Sequence, residues 1–228
     1  IYNSIVKYSL PYGQLPSEWL TSKKIRKLMG NAQNNNDKVL ENPICDFLST
    51  RKIKFDRSIK SLLTADFSTN FPIEIKGVGE IDIIFLLFKE EKCCIYICEC
   101  KNNRFRDNFH NWRRDYSNFI QSYEGQLERK VNFAKKNIDK IKYHFMRKYD
   151  NYELFDGFQL EVIGLFIVNA PTLYMYDGIV EVYNYKTFPE FLDGNYIIII
   201  YLLNDEENGE IKLAYPYIRN LRKIIYNK

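Results

Sequence analysis

Three charged residues stand near the ends of two apolar segments that have the composition of β-strands. Asp82 lies in residues 79–85 (GEIDIIF), and Glu99 and Lys101 lie in residues 94–101 (CIYICECK). Because side chains alternate across a strand, Glu99 and Lys101 project to the same face. Charged groups are costly to bury unless they meet another charge, so Asp82 is their expected partner. Such a group would suit the binding of a metal ion or a phosphate.

A charged tetrapeptide, residues 89–92 (KEEK), separates the two apolar segments. A polar turn between two strands predicts an antiparallel hairpin. The hairpin would hold Asp82 on one strand beside Glu99 and Lys101 on the next. Carboxylate oxygens are hard ligands that suit Mg²⁺ or Mn²⁺.

This arrangement resembles the PD-(D/E)xK nuclease superfamily, in which an acid on one strand is followed by an acid-x-lysine on the next. The matching residues are Asp82, Glu99 and Lys101, and no proline precedes Asp82. The resemblance implies an α/β restriction-endonuclease-like fold, a mixed central sheet flanked by helices with the core order α-β-β-β-α-β. It also implies Mg²⁺-dependent hydrolysis of phosphodiester bonds, with DNA the favoured substrate and Mn²⁺ able to substitute. Asp82, Glu99 and the main-chain carbonyl of Cys100 would hold the metal, and Lys101 would orient water or stabilise developing charge.

The superfamily places a glutamate on a helix ahead of these strands, and Glu41 is the residue that matches. Residues 37–50 predict this helix, with Asn36 or Asp37 as its cap and Pro43 in its first turn or at a kink. The resemblance makes Glu41 a catalytic and metal-binding candidate. Glu80, which shares a strand face with Asp82, is its substitute in the metal site. The alternative is an ordinary helix acid that favours the macrodipole.

Aromatic residues follow Lys101 at alternating spacings of four and three, which predicts a helix. They are Phe105, Phe109, Trp112, Tyr116, Phe119 and Tyr123. Gly125 is the expected end or bend, and a second helix follows it. Many superfamily members carry a glutamine and a basic residue on this second helix, so Gln126 and Lys130, one turn apart, are candidates. The alternative is an ordinary amphipathic surface.

Positive charge is concentrated in the same region. The chain carries a net charge of +4, but residues 101–149 hold 13 basic and 5 acidic side chains. A basic stretch directly after the proposed catalytic strand favours contact with nucleic-acid phosphates. The residues expected to make these contacts are Arg104, Arg106, Arg113, Arg114, Arg129 and Lys130. A second basic cluster, at residues 23–27, is more typical of a solvated helix face.

Three further segments predict strands, and the chain divides at residue 36. Residues 160–168 and 196–203 are apolar on both faces and predict buried central strands, with a strand at 180–185 and a short helix at 187–193 between them. Residues 1–36 are expected to be an N-terminal extension or the end of an upstream region, with a polar linker at 31–36. Residues 37–228 would form the nuclease-like domain.

The composition disfavours several other functional classes and locations. With two histidines, the chain is a poor fit to a histidine-based hydrolase, and it has no Walker or GxGxxG motif. The spacing of its five cysteines favours core thiols and a reducing compartment over a zinc site. No membrane segment is expected, and the predicted location is the cytoplasm or the nucleoid.

Two other functions stay open at this level. The domain could be a catalytically inactive module of the same fold that binds nucleic acid or scaffolds an assembly. It could also be a structural domain in which Lys101 pairs with Glu99 or Asp82. A homodimer would suit a double-strand cutter, and further domains are expected upstream.

Overall fold

The computed structural model describes residues 21–64, 69–73, 77–103, 109–195, 199–205 and 209–215. The elements up to the predicted hairpin are helix α1 (Lys23–Thr50) and strands β1 (Lys54–Ile59), β2 (Ser61–Leu63), β3 (Asn70–Pro72), β4 (Ile81–Lys89) and β5 (Lys92–Lys101). After them come α2 (Phe109–Asn118), a π-helical turn (Phe119–Tyr123), α3 (Glu124–Lys136), α4 (Ile138–Lys148), β6 (Gln159–Val168), α5 (Tyr174–Asp177), β7 (Glu181–Asn184), α6 (Phe188–Leu192), β8 (Ile199–Asp205) and β9 (Gly209–Tyr215).

A mixed five-stranded sheet in the order β1-β4-β5-β6-β7 forms the centre of the fold. Strands β1, β4 and β5 are antiparallel neighbours, whereas β6 runs parallel to β5 and β7 parallel to β6. The predicted hairpin is confirmed, because β4 and β5 pair as far as Lys89 and Lys92 and turn through Glu90 at a positive φ of 53°. The prediction of an α/β protein with a mixed, helix-flanked sheet is therefore confirmed.

Helices cover both faces of this sheet, and the alternation of side chains decides which residues meet them. On one face, Leu40, Ile44 and Leu48 of α1 pack with Ile83, Phe85, Cys98 and Leu165. On the other face, Leu127, Ala134 and Ile141 of α3 and α4 pack with Ile84, Ile95 and Ile97. Asp82, Glu99 and Lys101 continue the second set by the same alternation, so they lie on the face that α3 covers.

The helix after β5 differs from the prediction at its break. The chain continues as a helix through Gly125, and the break falls at Asn137, between α3 and α4. The π-helical turn just before Gly125 has no signature in a 3.6-residue pattern, and such turns are frequent at functional sites. Helix α3 approaches the sheet closely at Gly164, where an added Cβ would lie 2.7 Å from Cγ2 of Val131.

Two predicted segments are corrected. The first helix begins at Lys23 rather than near residue 37, so residues 31–36 have helical backbone and not the expected linker, and Pro43 lies inside the helix. Strand β8, expected in the central sheet, pairs instead with β9 in a separate two-stranded sheet. An apolar run does not specify its partner, which is why this prediction failed. The short helix at 187–193 and the strands at 160–168 and 180–185 are confirmed by α6, β6 and β7.

The small β2-β3 hairpin is tied to α4 through His144. The Leu63 N–H donates to Nδ1 of His144 at 3.0 Å, and Nε2 of His144 lies 2.9 Å from Oδ2 of Asp56. His144 therefore joins the β2-β3 hairpin to β1 through its two ring nitrogens. Burial raises the pKa of Asp56, but hydrogen bonds from His144 and Lys148 outweigh it, and the net pKa is lowered.

Two predictions about the chain as a whole can be compared with these elements. Among the described residues, no helix combines the length and apolar character needed to cross a membrane. The five cysteines are unbridged; Cys45, Cys93, Cys98 and Cys100 are buried, and Cys94 is half-buried. Burial raises the pKa of the Cys45 thiol to about 11 and that of the Cys93 thiol to about 12, which makes them inert core groups.

Candidate active site

Asp82 and Glu99 face each other at the end of the β4-β5 hairpin that lies away from its turn. The strands pair Ile83 with Cys98, so Asp82 and Glu99 are the next residues along each strand and lie opposite one another. The main-chain N–H of Cys100 donates to Oδ2 of Asp82 at 2.7 Å, which fixes the Asp82 carboxylate against β5. The hairpin therefore presents two carboxylates side by side toward α3.

Lys101 lies at the same strand end, and its ammonium has three partners. Nζ donates to Oε1 of Glu99 at 2.7 Å and to Oε1 of Gln126 at 3.2 Å, and it lies 4.3 Å from the centroid of the Tyr123 ring. The Gln126 amide is held in turn by its donation to Oγ of Ser122 at 3.2 Å. The predicted association of Lys101, Glu99 and Gln126 is thus present in the structure.

Lys130 is the fifth member of this cluster. Its ammonium donates to Oε2 of Glu99 and lies 3.6 Å from Oδ1 of Asp82. The residue is only 5% exposed. We predicted Lys130 both as the basic partner of Gln126 and as a phosphate contact; the structure places its ammonium between the two carboxylates, where a bound cation would also be attracted. We call Asp82, Glu99, Lys101, Gln126 and Lys130 the carboxylate–lysine cluster.

The π-helical turn and the start of α3 supply the helical half of the cluster. Tyr123, Gln126 and Lys130 are spaced by three and four residues, so they share one face of the helix. Tyr123 was missed as a site residue, because sequence reasoning counted it in the aromatic core stripe. The available signal was its position three residues before Gln126, on the same predicted face.

The electrostatics of the cluster are those of two like charges in a confined space. Burial raises the pKa of Asp82 to about 6, with a further contribution from the Glu99 carboxylate, and Lys130 and the Cys100 N–H oppose the rise. Two carboxylates at one site raise the pKa of one of them unless a cation compensates. The cluster therefore favours either a proton on Asp82 or additional positive charge beside it.

Glu41 and Glu80 each contact a residue outside the carboxylate–lysine cluster. Glu41 is 8% exposed, belongs to the helix that packs on the opposite face of the sheet, and accepts a hydrogen bond from Oγ of Ser58 at 3.3 Å. Burial is the largest cause of the raised pKa of the Cys100 thiol, and the Asp82 and Glu41 carboxylates raise this pKa further. The two carboxylates therefore act on Cys100 from opposite sides of β5. Glu80 forms an ion pair with Lys60 at 3.5 Å.

The basic residues expected to meet phosphates divide into two groups. Arg113, Arg114 and Arg129 are exposed on the helices that follow β5. Arg104 and Arg106 lie outside the described residues. The exposed group lies on the same helical segment that carries Gln126 and Lys130.

The donor set can be compared with the needs of a divalent cation. Among the described residues, no group of three or more His, Cys, Asp or Glu side chains is arranged to hold a metal. Mg²⁺ is usually bound through only one or two carboxylates, with water and substrate phosphate completing its shell. The opposed carboxylates of Asp82 and Glu99 fit that requirement.

Comparison of the chain with protein-family models, with curated proteins and with solved structures finds no match.

Proposed function

We propose that the protein is a metal-dependent nuclease of the PD-(D/E)xK type that hydrolyses phosphodiester bonds, with DNA as its favoured substrate. The observation that carries the proposal is the pair of opposed, largely buried carboxylates, Asp82 and Glu99, bonded to Lys101 at a strand end. The order of helix, antiparallel strands, helix and parallel strand supports a restriction-endonuclease-like core. Defence, repair and recombination are all compatible with this chemistry.

Each member of the cluster has a distinct role in this proposal. Asp82 and Glu99, with the main-chain carbonyl of Cys100, would hold Mg²⁺ or Mn²⁺. Such an ion neutralises phosphate charge and lowers the pKa of a bound water. Lys101 orients the attacking water or stabilises the charge that develops on phosphate. Gln126 and Tyr123 position the Lys101 ammonium. Glu41 packs on the opposite side of β5 and is given no part in holding this ion.

The proposal is tested by incubating the purified chain with linear duplex, circular and single-stranded DNA and with RNA. Each substrate is tested in Mg²⁺, in Mn²⁺ and in chelator, beside the Glu99→Ala protein. We expect metal-dependent cleavage that the variant lacks. The set of substrates cut then separates DNA from RNA and ends from interior positions.

Lys101 is tested by a matched pair of charge deletions. Lys101→Ala is expected to lower cleavage by about 100-fold or more, the range for removing a group that stabilises the transition state. Lys89→Ala, an exposed lysine at the opposite end of β4, should retain full activity. A well-folded, fully active Lys101→Ala protein would contradict the assignment.

A structural role is the second candidate, and the ion pairs of Lys101 and Lys130 with Glu99 favour it. In that case the cluster would be a charge-neutral tie between the hairpin and α3. Buried ion pairs are a weak source of stability, so this role explains their presence poorly. Metal titration separates the two candidates: a tie has no affinity for Mn²⁺. An inactive nucleic-acid-binding module would instead bind DNA in chelator and never cut it.

A further inference from the structure

A second concave site lies on the neighbouring face of α3. It is a pocket of about 630 Å³ between α3, the start of α4, strand β3 and the loop that leads into β4. Its lining residues are Phe71, Gly77, Val78, Arg129, Asn132, Phe133, Lys136, Asn137 and Lys140. This volume is within the range of about 300–1,000 Å³ that is usual for small-ligand sites.

The charge of the pocket indicates an anionic ligand. Its lining includes three cations, Arg129, Lys136 and Lys140, and no acidic side chain. Lys140 donates to Oδ1 of Asn137 at 3.1 Å and lies 4.6 Å from the centroid of the Phe71 ring. Within the described part of the chain, Arg129 and Lys136 form no ion pair, so both are available to a phosphate.

The floor of the pocket is apolar and aromatic. Phe71 and Phe133 stack on one another with their ring centroids 6.2 Å apart, and Val78 packs on the same cluster. A site that contacted only the phosphates of a duplex would have no use for such a floor. Aromatic side chains beside cations are the usual combination for an unpaired nucleotide, whose base meets the rings while its phosphate meets the cations.

Contacts within the protein hold the walls of the pocket in place. Strand β3 is fixed through its partner β2, which is tied to His144 of α4. Gly77 and Gly79 both adopt a positive φ, near 70° and 79°, and an added Cβ at either position would meet nothing within 4 Å. These two glycines therefore supply backbone conformations that L residues rarely adopt, close to the pocket.

The pocket and the carboxylate–lysine cluster are linked through two short segments. Arg129 directly precedes Lys130 on α3, and Gly79 lies three residues before Asp82. We propose that the pocket binds one unpaired nucleotide of the substrate strand, next to the phosphate that is cut. This inference deepens the proposed nuclease function and depends on it for the identity of the substrate, but binding can be measured without cleavage.

The probe is a fluorescein-labelled, ten-nucleotide oligothymidylate, whose fluorescence anisotropy is measured in chelator so that no cleavage occurs. Arg129→Ala/Lys136→Ala is expected to weaken binding about tenfold or more. It should also reduce the slope of log K against log salt by roughly 1.4, the value for two single-strand phosphate contacts. Lys89→Ala/Lys92→Ala removes the same charge from the far end of the hairpin and should bind like the wild type.

The aromatic floor is tested with Phe71→Leu, which keeps an apolar side chain but removes the ring. We expect about fivefold weaker binding of the oligothymidylate, the low end for loss of one stacked base, with an unchanged salt slope. A thermal melt confirms that each variant is folded. A duplex of the same length should be insensitive to Phe71→Leu.

Three outcomes would overturn the inference: no binding of the oligothymidylate, equal binding by the pocket and control variants, or an equal loss for duplex and single strand with Phe71→Leu. The cleavage assay distinguishes these from failure of the proposed function. A pocket that binds the oligothymidylate in a protein that never cuts would support a nucleotide site there, but would remove both the nuclease function and the position beside a cut phosphate. A protein that cuts, and whose binding and cleavage do not change with the pocket substitutions, would support the nuclease function and overturn the inference.

Discussion

At the scale of single residues, Lys130 is the group whose position says most about how the site works. Its ammonium lies between Glu99 and Asp82, so it compensates two carboxylates that would otherwise repel one another. A divalent cation drawn to the same carboxylates must compete with that ammonium. Lys130 therefore keeps the metal-free site neutral and, once displaced, would be free to meet a phosphate.

Lys130→Met is expected to raise the affinity for Mn²⁺ about tenfold, because it removes a competing positive charge while keeping the length of the side chain. Cleavage should fall in the same variant, because the phosphate can no longer contact the positive charge of Lys130. Lys135→Met, an exposed lysine on the same helix, is the control and should change neither property. Equal Mn²⁺ affinity in the two variants would show that Lys130 does not compete with metal.

Asp82 yields a prediction about pH. Burial beside Glu99 raises its pKa from 3.8 to about 6 in the native state. Between these values the native protein binds more protons than the unfolded chain, so this residue's contribution to stability falls as pH rises through that window. Above pH 6 the charged Asp82 carboxylate lowers the free energy of unfolding of the metal-free protein by an amount that no longer changes with pH.

Asp82→Asn should therefore stabilise the metal-free protein at pH 8 by about 1–3 kcal/mol, because the amide removes a confined charge and its oxygen can still accept from the Cys100 N–H. The gain should shrink toward zero as pH falls to about 4. Urea unfolding of both proteins across this pH range measures it. An Asp82→Asn protein less stable than the wild type at pH 8 would contradict the electrostatic account.

Residue identities could be predicted from the sequence better than residue surroundings. Strand alternation placed Glu99 and Lys101 on one face with Asp82 as their expected partner, and the resemblance seen in the sequence indicated Gln126. These four residues do come together. Burial of Lys130 could not be predicted, because spacing shows which residues share a helix face but not which face meets the sheet. Glu41 was placed on the correct type of element, yet that helix packs on the other side of β5.

At the scale of elements, the closeness of α3 to β6 sets the reach of Gln126 and Lys130 toward the hairpin. Gly164 allows this approach, because a Cβ there would lie 2.7 Å from Cγ2 of Val131 and 3.2 Å from Cγ of Leu127. A side chain at this position requires Val131, or the helix that carries it, to shift. The position of the helical half of the site is therefore coupled to one small residue on the sheet.

Gly164→Ala is expected to destabilise the protein by about 1–3 kcal/mol through overpacking, and to lower cleavage by more than the loss of folded protein explains. Gly125→Ala is the matched control. It lies inside the helical segment, its added Cβ would have only an Arg129 nitrogen nearby, at 3.7 Å, and it should be neutral or stabilising by about 0.5–1 kcal/mol. Thermal melts and cleavage rates of the two variants provide the comparison. The coupling would be refuted if both alanines behaved alike.

Secondary-structure elements could be predicted where the sequence pattern that specifies them is local. The hairpin follows from two apolar segments and a charged turn, all of which lie within residues 79–101. The π-helical turn departs from a 3.6-residue period, and an apolar run does not indicate which strand it pairs with, so periodicity alone could predict neither the turn nor the pairing of β8 with β9. The helical backbone of residues 31–36 shows the same limit, because polar composition was mistaken for a break in the helix.

At the scale of the whole molecule, the uneven distribution of charge is the feature that suits a nucleic-acid substrate. Residues 101–149, with 13 basic and 5 acidic side chains, include the helices beside the cluster. Exposed arginines on α2 thus extend a positive surface away from the buried lysines of the site. Association with DNA should be governed by this surface and should weaken steeply with salt.

Arg113→Glu/Arg114→Glu should weaken binding of a 20-base-pair duplex in chelator and lower the slope of log K against log salt by roughly 1.8, the value for two duplex phosphate contacts. Lys89→Glu/Lys92→Glu is the control with the same change in net charge. Anisotropy at several salt concentrations measures both. Equal losses in the two double variants would mean that only net charge matters and that α2 does not face the duplex.

The account depends most on the claim that Asp82 and Glu99 together hold a divalent cation. We would measure Mn²⁺ binding by electron paramagnetic resonance of the free ion, comparing the wild type with Asp82→Asn and Glu99→Gln at pH 8. The account predicts binding by the wild type and a loss of about tenfold or more in each variant. Absence of binding by the wild type, or equal binding by all three proteins, would contradict it and leave the carboxylate–lysine cluster as a structural tie.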